Sequence, residues 1–153
     1  MSHAAIIGLA LLILLPSVAR SDITNLDKDG DLKFGNLMSP GSSGTVTVSD
    51  DGARSSTGGI TLRSGSAVTA ATFTVTGSSN SHYTITLPAN NTVVISSGGN
   101  TFTLTNFTCS APLTGARLGG GNTTLTFTVG ATAMITPNPA PGSYSGSFNV
   151  TVN

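Results

Sequence analysis

Few side chains in this 153-residue chain can carry chemistry, and their spacing narrows what they could do. The six acids are all aspartates: Asp22, Asp27, Asp29, Asp31, Asp50 and Asp51. Asp27-Lys28-Asp29-Gly30-Asp31 sets three carboxylates at alternate positions, as a calcium loop begins. Such a loop must then turn on a glycine and close with a bidentate glutamate. Leu32 stands at the glycine position and Met38 at the glutamate position, so the stretch reads as a solvated N-terminal segment. Zinc would need more soft donors than one cysteine, Cys109, and the mature chain's one histidine, His82. Asp50-Asp51 precedes Gly52 and reads as a turn, not as two glycosidase acids facing across a cleft. His82 follows Ser78-Ser79-Asn80-Ser81 and reads as a solvated histidine at a strand entrance. Serines abound, but none sits in a nucleophile motif. No catalytic residue, cofactor-binding residue or metal ligand is therefore assigned, no cofactor is implied, and the chain is not expected to be an enzyme.

The overall balance points the same way. Charged residues make up 8% of the chain, against about 25% in ordinary soluble proteins. Beyond Asp51 the only charged side chains are Arg54, Arg63 and Arg117. Nucleic-acid binding needs a row of cations to neutralise phosphates, so it is not expected. Rows of threonine on the outer faces of strands suggest sugar or ice binding. Threonine outside and an apolar residue inside is also the ordinary composition of a soluble strand. Glycan binding would want exposed aromatics, and there is no tryptophan. Tyr83 and Tyr144 fall at positions expected in the core. The sequons at Asn91, Asn106, Asn122 and Asn149 are what an Asn/Thr-rich chain produces by chance.

Ala4 to Leu15 is an uninterrupted apolar run. It is short of the roughly 20 residues a spanning helix needs, and small residues follow it. The expectation is a secretory signal over residues 1–21, cut after Ala19 or Ser21, although Met1-Ser2-His3 lacks the usual Lys or Arg. That leaves residues 22–153 as one domain, secreted or held at the cell surface, with no membrane contact after the signal is removed. Cys109 then has no partner for an internal disulfide. It reads as a small buried hydrophobe, with an intermolecular disulfide as the second reading.

The elements that must position these groups are strands. Alternation with period two runs through Thr45–Val48, Thr72–Thr76, Tyr83–Leu87, Thr101–Leu104, Thr124–Val129 and Tyr144–Val152. Ile60–Leu62, Val93–Ile95 and Ala133–Ile135 are shorter candidates. Phe102 and Leu104 share one parity while Phe107 and Cys109 share the other, which predicts a bulge near Asn106. Clusters of Gly, Ser, Asn and Pro separate the strands, and no amphipathic helix is visible after the signal. The fold class expected is all-β, an immunoglobulin-like antiparallel β-sandwich.

Taken in order, several short pieces carry a family likeness from Leu32 to Asn153. They are Leu32-Lys33-Phe34-Gly35, Gly44–Val48, Gly58-Gly59, Ala71–Gly77, Tyr83–Pro88, Phe127–Gly130 and Gly142–Gly146 followed by Phe148, Val150 and Val152. The chain resembles a family of secreted bacterial domains of unknown function, distantly similar to spore-coat-protein-U-like and fimbrial pilin domains. The resemblance implies export, an immunoglobulin-like sandwich and assembly into surface fibres, where a strand from a neighbouring subunit completes the sheet. Asp22–Asp31 departs from a donor strand, because its apolar residues, Ile23 and Leu26, do not alternate. The expected function is a non-enzymatic extracellular structural domain, a pilin-like or surface-fibre subunit that assembles by strand addition at a sheet edge. The second reading is a monomeric surface adhesin or carbohydrate-binding module. Expected partners are copies of itself or other surface subunits, with a glycan as the ligand of the second reading.

Overall fold

Threonine alternating with an apolar residue gives a strand one wet and one dry face, and the longest such runs build the main sheet. The computed structural model describes residues 23–39, 41–121 and 123–153. The signal expected over residues 1–21 and the sequon residue Asn122 lie outside the described residues. The strands are β1 Ile23–Gly30, β2 Leu37–Met38, β3 Gly44–Val48, β4 Arg54–Gly58, β5 Thr61–Leu62, β6 Ala71–Gly77 and β7 His82–Tyr83. β8 Ile85–Thr86, β9 Val93–Ser97, β10 Asn100–Cys109, β11 Ala116–Arg117, β12 Thr124–Ile135 and β13 Thr151–Val152 complete the set. All the ladders are antiparallel, so the protein is the all-β sandwich expected.

The main sheet runs β1-β6-β12-β10-β9, and β3 joins it by pairing with both β12 and β4. β12 is its axis. Thr124–Val129 pairs with β6, while Ala131–Ile135 pairs with β3. Sequence patterning treats Thr124–Val129 and Ala133–Ile135 as separate strands, but they are one continuous strand that changes partner at Gly130. A Cβ there would sit 2.3 Å from the Val48 carbonyl oxygen and 2.5 Å from the Ser49 carbonyl carbon. β3 approaches that closely only because residue 130 is glycine. The change of partner curls the sheet around its own inner face.

The bulge expected near Asn106 is present. The β10–β12 register slips between Thr105 and Thr108, and Asn106 takes φ 49°. The Asn106 amide donates to Asn90 Oδ1 at 2.8 Å instead of to the ladder.

Two sequence expectations change. The segment read as solvated is exposed at Asp27, Lys28, Asp29 and Asp31, but with its flank it is largely the edge strand β1, which patterning did not mark. Its apolar residues are three apart, but a register irregularity between Ile23 and Asn25 lets both Ile23 and Leu26 pack on the core. Tyr83–Leu87 is not one strand either. Tyr83 pairs with Ala116 of β11, Ile85 pairs with Val152 of β13, and Thr84 exchanges both backbone hydrogen bonds with Asn153.

The short ladders β7–β11, β8–β13 and β2–β5 cover the curled sheet. Tyr83, Ile85 and Leu118 pack on Phe73, Val75, Phe127 and Val129 in one cluster. Val46, Ile60, Val93, Phe102, Leu104, Ala133 and Ile135 form the second, under Phe34, Leu37 and Leu62. Phe107 and Phe148 touch both clusters, with ring centroids 5.4 Å apart. Burying a side chain the size of Phe127, 1% exposed, is worth about 2–3 kcal/mol.

Candidate functional site

The residues with chemical potential are not gathered together. Asp50 and Asp51 lie in the β3–β4 hairpin turn. There the Asp51 carboxylate accepts from the Ser49 hydroxyl and from the Ala53 amide, the latter at 3.0 Å. Those bonds hold its carboxyl below the ordinary carboxylate range. His82 is exposed on β7, opposite Arg117. Asp27, Asp29 and Asp31 each have a separate partner: the Asn25 amide at 2.7 Å, the Thr74 hydroxyl at 2.6 Å and the Lys28 ammonium at 2.6 Å. Among the described residues no group of three or more His, Cys, Asp or Glu is placed to hold a metal ion.

Cys109 is half-buried against the first cluster, and burial pushes its thiol up from the ordinary value. The threonine rows bond to one another across strands. Thr45–Thr57, Thr47–Thr132 and Thr74–Thr126 lie 2.7, 2.8 and 3.0 Å apart. Tyr83 is in the core, as expected, at 4% exposed; Tyr144 is only half-buried, stacked on Phe102 with centroids 4.1 Å apart.

The notable surface feature is a groove of about 950 Å³. One wall is the chain from Asp31 to Ser39 and the other is Pro139 to Phe148. Its floor is the second cluster's own core, including Phe102, Leu104, Ala133 and Ile135, together with Ala71 and Phe73. Composition and spacing gave no sign of it, because it arises where two segments distant in sequence fail to meet.

Each wall has a local cause. On the first, Leu32, Phe34 and Leu37 turn inward while Lys33 is exposed and exchanges backbone hydrogen bonds with Thr69. Gly35 then takes φ 71°, a left-handed turn that suits glycine. The Arg54 guanidinium packs against that turn. Its Nη1 donates to the Phe34 and Asn36 carbonyls at 3.0 and 3.2 Å, and Nη2 to the Arg63 carbonyl at 2.9 Å. One side chain on β4 thus pins the middle of the wall at Phe34 and Asn36, while Lys33–Thr69 and the β2–β5 ladder hold its ends.

The second wall begins in a proline-rich stretch, Pro137 to Pro141, and continues into the segment expected as the last strand, Tyr144–Val152. The parity expected for Tyr144, Gly146, Phe148, Val150 and Val152 is seen except at Gly146, which is exposed. Tyr144, Phe148, Val150 and Val152 are half-buried, while Ser145, Ser147, Asn149 and Thr151 are exposed. The pairing is incomplete, however. Ser145 exchanges both backbone hydrogen bonds with Ser96 of β9, and regular pairing resumes only at β13. Ser145 is an isolated bridge, and Gly146 packs against β9: a Cβ there would sit 2.5 Å from the Val94 carbonyl oxygen and 3.2 Å from the Ile95 Cα. Among the described residues, no backbone hydrogen bond joins Gly146 or Phe148 to another segment.

β1 and β4 each pair on one side only and are free edges of the main sheet. The outer edge of β1 carries Asp27, Lys28 and Asp29, the usual guard against unwanted pairing. From Gly142 to Asn153 there is no charged residue.

No curated protein and no solved structure matches this chain. A family model described as a domain of unknown function, DUF4402, matches residues 24–153, and the chain belongs to that family.

Proposed function

We propose that this domain is a non-enzymatic structural component of an exported surface assembly, a pilin-like or surface-fibre subunit whose groove takes in a β-strand. The observation that carries the reading is the uncharged stretch Gly146–Phe148, which has no backbone partner in another described segment and lines the groove beside apolar residues. An incoming strand supplies main-chain hydrogen bonds to that stretch and apolar side chains to the groove, which is recognition by β-augmentation. The charged outer edge of β1 disfavours strand addition at that edge.

Imaging of gold-labelled protein on the native cell surface tests the reading. Label along extended surface structures is the expected result, and label confined to the medium counts against it. The alternative, a monomeric adhesin or carbohydrate-binding module, has less support. Its aromatic platform would have to come from Tyr83, which is buried, or Tyr144, which is stacked on Phe102. Binding to arrayed glycans would revive it.

A further inference from the structure

We propose that Met38 is a site of oxidative modification. A peroxide converts its thioether to a sulfoxide, and the Arg63 guanidinium holds the new oxygen, which tightens the pairing of β2 with β5. Met134, equally exposed, has no such partner. The site stands whatever the groove takes in.

The ladder brings the two side chains together. β2 and β5 pair with Met38 opposite Thr61. Arg63 stands two residues beyond Thr61, so it is the diagonal neighbour of Met38, within reach of a long side chain. Arg63 Nε donates to Met38 Sδ at 3.0 Å, and Nη2 donates to the same sulfur. A guanidinium fork ordinarily takes the oxygens of a carboxylate or phosphate. Among the described residues Arg63 has no carboxylate partner, and both donors go to a thioether, a weak acceptor. The backbone behind the fork is fixed. The Arg63 amide donates to the Asn36 carbonyl at 2.9 Å, and the Arg63 carbonyl accepts from Arg54 Nη2 at 2.9 Å.

Met38 is 47% exposed, so a small oxidant reaches it. A sulfur lone pair attacks one oxygen of hydrogen peroxide and the O–O bond breaks. The proton on the transferred oxygen passes to the departing hydroxide, which leaves as water. Sulfur gives up two electrons and the peroxide takes them. The sulfoxide oxygen is a strong acceptor where the sulfur was a weak one, and bonds to it from a guanidinium are charge-assisted. A sulfoxide formed inside a core disrupts packing. At Met38 it forms at the surface, beside a cation that lacked an oxygen partner. Met134 is the internal contrast. It is also 47% exposed, but its cross-strand neighbours are Thr103 and Thr45, which carry no charge.

Treatment of the full chain with hydrogen peroxide tests this. Peptide mass spectrometry confirms oxidation at each methionine, and thermal melting reads the effect. Met134→Leu isolates the response of Met38. Met38→Leu gives the response of every other oxidisable group, Cys109 included. Oxidised Met134→Leu is expected to melt about 2–4 °C above its reduced form, the shift that one net hydrogen bond makes in a domain of this size. Methionine sulfoxide reductases, which remove the oxygen, return the midpoint to its starting value. Oxidised Met38→Leu shows no rise. Arg63→Ala in the Met134→Leu background abolishes the gain, and hydrogen exchange places the slowed amides at residues 36–38 and 61–63. The inference is wrong if peroxide leaves Met38 unoxidised, or if oxidised Met134→Leu melts at or below its reduced form. It is equally wrong if the gain survives Arg63→Ala, persists after enzymatic reduction, or slows exchange only elsewhere in the sheet.

Discussion

A single absent Cβ decides where β12 changes partners. At Gly130 the atoms that a side chain would strike belong to the backbone of Val48, Ser49 and Asp50, which cannot rotate away. Gly130→Ala is expected to lower stability by about 3 kcal/mol, the upper end for forced overpacking, measured by urea denaturation. The chain has 19 glycines, and nothing in the sequence distinguishes this one from those in turns. Its role depends on β3, more than 80 residues earlier, arriving alongside. Cys109 was more legible, because its parity with Phe107 put it on a buried face. Burial keeps its thiol protonated at neutral pH. Alkylation of the folded protein is therefore expected to run at least about tenfold slower than in denaturant, as followed by mass spectrometry. Equal rates would mean that the thiol is not held against the core.

At the scale of elements, what periodicity could see was strands with one apolar face, and it placed β3, β6, β9, β10 and β12. The bulge at Asn106 was visible too, because a change of parity within one strand has no other simple remedy. β4 was invisible: Arg54-Ser55-Ser56-Thr57-Gly58 has no apolar residue to alternate. β1 was invisible because its two apolar residues are three apart and need the irregularity at Thr24. The groove wall follows from β4. Arg54→Ala removes three charge-assisted bonds to the carbonyls of Phe34, Asn36 and Arg63. A loss of about 2 kcal/mol is expected, within the range for bonds to a charged group. Faster hydrogen exchange should be confined to residues 33–38 and 61–69. Arg54→Lys should recover little, since one ammonium cannot reach three carbonyls that the planar guanidinium spans. Exchange that quickens evenly over the whole sheet would show that Arg54 stabilises the fold without setting the wall.

At the scale of the whole molecule, hydroxyl ladders take the place of charge networks. Three threonine pairs bond across strands, while the described residues contain one ion pair, Lys28–Asp31, on the surface. Exposed pairs of that kind contribute about 0–1 kcal/mol and are screened by salt. Stability at neutral pH should therefore change by less than about 0.5 kcal/mol between low salt and half-molar sodium chloride. Acid is a different matter. The Lys28 ammonium holds the Asp31 carboxyl low, and the Ser49 hydroxyl and Ala53 amide do so for Asp51. A carboxyl lowered on folding adds stability that is complete above its unfolded pKa, about 4. That stability is lost as pH falls through the lower folded value. Urea midpoints are expected to stay level from pH 7 to about 5 and to fall below about 4. The early loss should centre on the β3–β4 turn and on the Asp31 end of the groove. Asp51→Asn keeps the shape of the turn but no longer titrates, so it should flatten the turn's share of that fall. If the midpoint instead declines steadily through pH 6, neither carboxylate governs the pH response.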